Sequence, residues 1–362
     1  MGSTAVSQPA SPGKGGGSKR SNSAIIVTAL ALFSMFFGAG NLIFPPMLAV
    51  EAGDNFWPAL IGFLLTASLL PVLAVIAIAL SGSNLRDLAQ RAGTAFGVVF
   101  PVMAYLSIGA FYALPRTGAV SFETAVTPLF GFDSFGASAI FNVLFFGIAL
   151  ALSWNPTSIM EKLGKFLTPA LLVLLLVMIS VAAFRWSAEP ATPSEPYNDG
   201  PFTAGLLEGY LTMDTLGALV FGIVIATAIR DRGVTEPALV TRYSMIAGVI
   251  AAIGLSLVYL ALFYLGATSQ GIAGGAENGV QILTTYVQHT FGTPGSLLLA
   301  VVITLACLTT AVGLTTACGE FFSALLPVSY RSVVIVFALF SLLVANQGLT
   351  QLISVSVPVL VG

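Results

Sequence analysis

The chain has 362 residues, of which 57% are hydrophobic and only 8% are charged, and its mean hydropathy is +0.97. A soluble domain carries about 25% charged residues, so this composition excludes an ordinary soluble protein and indicates a polytopic membrane protein. The formal net charge of −2 offers no basic surface for nucleic acid, and the two cysteines lack metal-binding spacing.

The predicted elements follow one another from a polar tail into a series of apolar segments. Residues 1–23 are rich in Gly, Ser, Pro and Lys, which predicts a disordered cytoplasmic tail. Residues 272–292 carry acidic, amide and histidine side chains, so we expect an extramembrane loop with a short helix there. Segments of membrane-spanning length lie at residues 24–50, 56–80, 96–127, 136–153, 166–184, 202–229, 238–266, 295–326 and 331–346, and a tenth begins near residue 350.

The distribution of basic residues predicts the orientation of these spans. With a cytoplasmic N-terminus, eleven of the 13 Lys and Arg residues fall in the tail or in inner loops. Arg185 falls in an outer loop, and Arg116 falls within the third span. His289, the only histidine, falls in an outer loop, which argues against a proton relay through it.

The first span contains a sequence that a regular helix does not favour. Residues 38–41 read Gly-Ala-Gly-Asn, and prolines follow at positions 45 and 46. A break at membrane depth is tolerated where the freed backbone groups face protein, water or a ligand. Freed amides favour a carboxylate, and freed carbonyls favour an ammonium group or Na⁺, so a zwitterionic amino acid suits this site. A Gly/Pro kink with close helix packing is the alternative interpretation.

The sixth span shows a second irregularity, at residues 209–217, which read GYLTMDTLG. Asp214 lies in mid-span, where an ionisable group is costly and normally functional. It could receive a substrate amine, ligate a cation or carry a proton; alternatively, it caps the broken helix. Two irregular helices at corresponding positions of two inverted halves predict a transporter binding site, and Asn41 supports it with an amide oxygen.

Other polar residues in the spans have weaker signals. Arg116 and Glu123 lie about two helical turns apart, and Glu320 lies near the inner end of the eighth span. We interpret these three as structural or gating charges rather than direct substrate contacts. The residues alone do not favour a cation site at Thr315 and Thr316. They favour hydroxyls that bond to the helix carbonyl four residues earlier.

Catalytic and ATP-driven functions have no support in the sequence. The tail lacks the spacing of a phosphate-binding loop, and the chain lacks a G-x-S-x-G nucleophile motif. We therefore expect neither an enzyme nor a cofactor, apart from a coupling ion.

Several motifs resemble those of the bacterial branched-chain amino acid:cation symporter family. They are FGAGNLIFPP at residues 37–46, PRT at 115–117, SFE at 121–123, GYLTMDTLG at 209–217, RGVTE at 232–236, YVQHTFG at 286–292 and AVGLT at 311–315. The resemblance runs from about residue 24 to the end of the chain. It implies an all-α polytopic protein of the bacterial cell membrane, with the five-plus-five inverted-repeat fold of neurotransmitter:sodium symporters and broken first and sixth helices.

The resemblance also implies a set of site residues. For Na⁺ it implies carbonyls of Ser34, Phe37 and Val312 with the hydroxyls of Thr315 and Thr316, which reverses the interpretation of these threonines from residues alone. For the substrate it implies the two helix breaks, with Phe111, Tyr112 and Met213 as apolar walls. The substrate set is Gly38, Ala39, Gly40, Asn41, Phe111, Tyr112, Tyr210, Thr212, Met213, Asp214 and Thr215.

Family members usually continue for roughly two more spans. We therefore expect a first five-helix repeat over residues 24–200 and a second, inverted repeat over 201–362 that is truncated in its last helix.

The leading hypothesis is a symporter that imports leucine, isoleucine and valine with Na⁺ by alternating access. A carrier coupled to H⁺, with Asp214 or Glu123 carrying the proton, is the nearest alternative, and a non-transporting amino-acid sensor or a channel is another. The expected partners are the small substrates and the lipid bilayer, with no obligatory protein partner.

Overall fold

A computed structural model describes residues 17–81, 85–154, 192–231 and 233–361, together with the single positions 169, 173, 176, 177 and 180. Residues 1–16 of the predicted tail, most of the predicted fifth span at 166–184, and Gly362 lie outside the described residues. The first helix begins at Gly17, so the prediction of a disordered tail is wrong for residues 17–23, which continue the helix of the first span.

The described part of the chain is helical and contains no strand. Its helices are α1 Gly17–Phe36, α2 Ala39–Ala52, α3 Phe56–Leu64, α4 Leu70–Ser81, α5 Leu85–Gln90, α6 Phe96–Leu106, α7 Ala113–Ala125, α8 Thr127–Phe130, α9 Phe135–Ser153, α10 Glu195–Asp199, α11 Pro201–Leu211, α12 Asp214–Asp231, α13 Pro237–Thr268, α14 Gln270–Ala273, α15 Gly279–Leu325, α16 Tyr330–Ala345 and α17 Leu349–Val361. Single π-helical turns, Leu65–Leu69 and Ser107–Phe111, interrupt the second and third spans.

Some of these helices, alone or in continuous succession, have membrane-spanning length. Among the described residues, five helical segments are long and apolar enough to cross a bilayer: Ala39–Ser81, Phe96–Phe130, Phe135–Ser153, Pro237–Thr268 and Gly279–Leu325. The helices Tyr330–Ala345 and Leu349–Pro358 would form one more span as a pair, although they are bent by 108° at their junction.

Close packing of small residues brings the halves of the chain together. A Cβ atom at Gly205 in α11 would lie 1.9 Å from the carbonyl oxygen of Ala59 in α3, so only glycine allows this approach. Next to it, the Thr66 hydroxyl donates a 2.8 Å hydrogen bond to the Leu206 carbonyl. Helix α15 packs against α7, α2 and α9, which places it behind the first break.

The predicted loop at 272–292 contains the end of α14 and the first part of α15. Gly292, with φ of 64°, separates this part from the long remainder of α15 that forms the eighth span. Asn278 caps the start of α15, because its side-chain oxygen accepts a hydrogen bond from the Gln281 amide. The expected short helix in the loop is thus present and is joined to the eighth span through a kink.

Candidate functional site

The first helix break lies at Phe37 and Gly38, between α1 and α2. Gly38 has extended backbone angles, and its amide donates a 2.8 Å hydrogen bond to the Asn41 side-chain oxygen. In an unbroken helix that amide would bond to the carbonyl of Ser34, four residues earlier. Asn41 therefore replaces a backbone acceptor, and the Ser34 carbonyl loses the donor that a regular helix would give it.

The second break lies at Thr212 and Met213, between α11 and α12. Met213 has φ of 67°, the left-handed conformation that side chains other than glycine rarely adopt. The Thr212 hydroxyl donates a 2.8 Å hydrogen bond to the Gly209 carbonyl at the end of α11. Asp214 begins α12, where the partial positive charge of a helix N-terminus stabilises a carboxylate.

Three buried side chains join the two breaks to a third helix. Asn41 Nδ2 donates a 2.8 Å hydrogen bond to Asp214 Oδ2. The Tyr259 hydroxyl, from α13, donates a hydrogen bond to the same oxygen and accepts one from Asn41. This cluster of Asn41, Asp214 and Tyr259 is polar, lies among apolar helices and fixes the Asp214 carboxylate at the break.

One small cavity, here called the central cavity, lies between the two breaks. Its volume is about 40 Å³, which holds a few water molecules, whereas small-molecule pockets measure roughly 300 Å³ or more. A ligand of amino-acid size therefore requires the lining of this cavity to widen. The lining residues are Met35, Phe36, Gly38, Ala39, Gly40, Asn41, Ile108, Ala113, Arg116, Thr212, Met213, Asp214, Gly217, Phe221, Thr310 and Leu314.

The structure brings together most of the substrate residues predicted from the sequence. Those that line the central cavity are Gly38, Ala39, Gly40, Asn41, Thr212, Met213 and Asp214. Phe111 does not line it, because its side chain is 40% exposed and packs against Phe340. Tyr112 is buried and Tyr210 is half-buried, but neither lines the central cavity. Thr215 does not line it either, and its hydroxyl donates a hydrogen bond to the Thr66 carbonyl.

The residues predicted to bind Na⁺ are not all adjacent to the first break. Ser34 and Phe37 lie at the end of α1, as expected, but the hydroxyl that reaches the Phe37 carbonyl is that of Thr310, at 3.5 Å. At 3.6 residues per turn, Thr315 lies about 140° around the helix from Thr310, and Thr316 about 120° in the other direction. Buried Val312 lies between them in sequence, and the Thr316 side chain interacts with the Tyr330 hydroxyl.

The three predicted structural or gating charges lie in three separate places. Arg116 is fully buried at the central cavity and donates to the Leu211 carbonyl at 3.1 Å. Glu123 accepts a 3.1 Å hydrogen bond from Asn278 Nδ2 and lines a larger, separate cavity of about 960 Å³, together with Asp133, Glu277 and His289. Glu320 is exposed near the C-terminal end of α15.

Sequence reasoning missed Tyr259, Thr310 and the apolar lining formed by Ile108, Phe221 and Leu314. One signal could have indicated Tyr259: membrane tyrosines are typical of the interface, yet this one lies nine residues before the end of the 32-residue helix α13. Thr310 shares a helix with four other threonines between residues 304 and 316, so composition alone does not distinguish it.

Comparison with known sequences gives close relatives. The family described as branched-chain amino acid transport protein matches residues 21–362. The chain is 62% identical over 338 residues to the branched-chain amino acid transport system 2 carrier protein of Pseudomonas aeruginosa, covering 93% of this chain and 77% of the relative. It is 49% identical over 337 residues to the branched-chain amino acid permease BrnQ of Escherichia coli K12, covering 93% and 76% respectively.

Comparison with solved structures identifies the fold. The nucleobase-cation-symport-1 family transporter Mhp1 in a closed conformation aligns with a TM-score of 0.63 at 16% identity, covering 92% of this chain and 74% of that one. MhsT in complex with L-phenylalanine aligns with a TM-score of 0.54 at 18% identity, covering 89% and 78%. The predicted fold class, an all-α polytopic transporter fold with broken first and sixth helices, is confirmed.

Proposed function

The chain belongs to the branched-chain amino acid transport protein family, a family of transporters rather than enzymes, and we propose that it imports leucine, isoleucine and valine by symport with Na⁺. This proposal is supported above all by one observation: two broken helices meet at one cavity, and the Asp214 carboxylate and the Asn41 amide lie at its wall. In a multi-pass bacterial membrane protein of this fold, such a site lies within the apolar part of the helix bundle.

The lining of the central cavity suits an aliphatic zwitterion. Gly38 and Gly40 expose the backbone of the first break, and Asp214 offers a carboxylate for the substrate ammonium group. Ile108, Phe221 and Leu314 provide apolar surface for a branched side chain. Because one methylene contributes only about 1–3 kcal/mol in such a pocket, all three branched-chain amino acids should be accepted.

The proposed cation site lies between α1 and α15. The Ser34 and Phe37 carbonyls at the end of α1 are oxygen ligands of the kind that a hard cation prefers. The Thr310 hydroxyl, which contacts the Phe37 carbonyl, supports this location and adds a ligand from α15. Val312, Thr315 and Thr316 remain the competing ligand set suggested by sequence resemblance.

Na⁺ at this position would stabilise one of two alternating states. An ion that contacts both α1 and α15 holds the first break against the bundle, and substrate between the two breaks favours the same closed arrangement. Coupling requires that both ligands shift one conformational equilibrium in the same direction. The small volume of the central cavity supports such an alternation between states. Substrate can enter or leave only when the cavity widens.

The test of this proposal is leucine uptake into proteoliposomes that contain the purified protein. Uptake against a concentration gradient should require Na⁺ outside and should stop when choline replaces Na⁺. Equal accumulation in choline buffers over a pH series would contradict coupling to Na⁺. Counterflow of labelled leucine should be present, and its absence with intact leucine binding would indicate a sensor.

Coupling to H⁺ is favoured by one observation, the buried Asp214 carboxylate with its phenol and amide partners. In that case Asp214→Asn should abolish concentrative uptake, yet exchange of leucine across the membrane should persist. Under the Na⁺ proposal, the same variant should weaken leucine binding in uptake and exchange alike. Asp54→Asn, an exposed change between α2 and α3, is the matched control.

A further inference from the structure

Arg116 is a fully buried cationic side chain at the wall of the central cavity. Its exposed fraction is 2%, and its guanidinium carbon lies 5.2 Å from the centre of the Phe44 ring. A Cβ atom placed on Gly40 would lie 3.1 Å from Arg116 Nη1, so the guanidinium lies directly against the backbone of the first break. The positive charge of α7 thus reaches the place where the proposed substrate binds.

The guanidinium has few partners for a buried charge. A guanidinium has five N–H donors, and here Nη1 donates to the Leu211 carbonyl at 3.1 Å while Nη2 approaches the Met213 sulfur, a weak acceptor, at 3.9 Å. Within the described part of the chain, no carboxylate lies at ion-pair distance from it. Asp214 and Glu208 lie near Arg116 but beyond ion-pair distance. A buried charge of this kind is costly unless another group completes its interactions.

The two charged groups that line the central cavity are complementary to an α-amino acid. Asp214, fixed by Asn41 and Tyr259, provides the negative charge, and Arg116 provides the positive charge from another helix. Guanidinium binds carboxylate in a planar, bidentate geometry that a point charge does not reproduce. We infer that Arg116 binds the carboxylate of the transported amino acid; this inference rests on the proposed function and restricts it to substrates with a free carboxylate.

A purely structural Arg116, which only holds the Leu211 carbonyl at the end of α11, has different consequences. Its loss would weaken binding of every ligand that needs the second break, with or without a carboxylate. Loss of a carboxylate-binding Arg116 would weaken only the ligands that carry one. The ratio of two affinities therefore separates the roles.

The experiment measures binding of leucine, leucinamide and 3-methylbutylamine to the purified full-length chain in saturating Na⁺. The last two ligands keep the amine and the branched side chain but lack the carboxylate. Wild-type protein should bind leucine roughly 100-fold more tightly than leucinamide, and Arg116→Gln should reduce this preference to about threefold or less. Arg116→Lys should recover part of it. Arg331→Gln, an exposed arginine that packs on Trp154, should keep the wild-type preference.

The outcomes are distinguishable. An Arg116→Gln protein that binds all ligands more weakly but keeps the leucine preference would overturn the inference. If that variant does not fold, Arg116→Lys takes its place, and an unchanged leucine preference in it would overturn the inference. Equal binding of leucine and 3-methylbutylamine by wild-type protein would overturn it as well. Wild-type protein that binds no leucine at all would instead refute the proposed function, and the inference with it.

Discussion

Asn41 Nδ2 donates a 2.8 Å hydrogen bond to Asp214 Oδ2, and this bond connects the two helix breaks across 173 residues of sequence. The side-chain oxygen of Asn41 also accepts a hydrogen bond from the Gly38 amide. One residue therefore shapes the first break and positions the carboxylate of the second. The breaks are therefore coupled, and a movement of one must move the other or break this bond.

Tyr259→Phe tests the coupling with the smallest possible change. The ring that packs against Phe63 stays, and only the hydroxyl shared by Asn41 and Asp214 is lost. Loss of a buried hydrogen-bond partner costs about 1–3 kcal/mol, so leucine affinity should fall roughly tenfold in a binding assay. Tyr330→Phe removes a hydroxyl that donates to the Ser153 carbonyl and should leave affinity unchanged. Equal affinities of the two variants would contradict the coupling.

Much of the site could be predicted because a break in an apolar helix has a local cause. Glycine, proline and asparagine at 38–46 disfavour a regular helix whatever the helix packs against. Asp214 marks the second break because an ionisable side chain in mid-span is costly and therefore unusual. Local sequence was less reliable about the role of each glycine. The sequence predicts Gly209 as part of the break, but α11 continues through it, and its missing side chain instead admits the backbone of Phe63.

The remaining site residues depend on how helices rotate against one another. Phe111 is the last residue of the π-helical turn Ser107–Phe111, which changes the direction of the side chains around it. Its ring packs against Phe340 and does not line the cavity. Thr310 faces the break, whereas Thr315 does not share its helix face, and only the packing of α15 against α1 decides this. Such a rotation is a property of the assembled bundle.

Substitution of the threonines in α15 should locate the cation site. Thr310→Val removes the hydroxyl that contacts the Phe37 carbonyl, with little change of volume. Loss of an ion-bound hydroxyl costs about 1.5 kcal/mol, so the Na⁺ concentration for half-maximal leucine binding should rise about tenfold. Thr315→Val and Thr316→Val should change it less than about twofold. The reverse order would favour the ligand set suggested by sequence resemblance.

The backbone of Met213 should carry measurable strain. Its φ of 67° costs a residue with a side chain roughly 1–2 kcal/mol, and glycine avoids this cost. Met213→Gly should therefore unfold at a higher temperature than Met213→Ala in detergent, although both lose the same side-chain contacts. At Met245, an exposed position inside α13, the alanine variant should be the more stable one by about 1 kcal/mol. The same order at both positions would exclude strain at the break.

Gly40→Ala tests whether the two breaks must stay in contact while substrate is bound. The added methyl group would lie 2.8 Å from the Thr212 carbonyl oxygen and 3.1 Å from Arg116 Nη1. Since a backbone carbonyl cannot rotate away, α2 must separate from the second break, at a cost of about 1–3 kcal/mol. Leucine binding should fall tenfold or more, on the order of this cost.

Gly147→Ala is the control for that substitution, because Gly147 lies inside α9 with open space around it. Its binding should be unchanged, and its stability should be equal or up to about 1 kcal/mol higher, as helix propensity favours alanine. Loss of binding in Gly40→Ala alone would show that the closed contact between the breaks belongs to the substrate-bound state. Normal binding by both variants would mean that the breaks separate before substrate enters and stay apart while it is held.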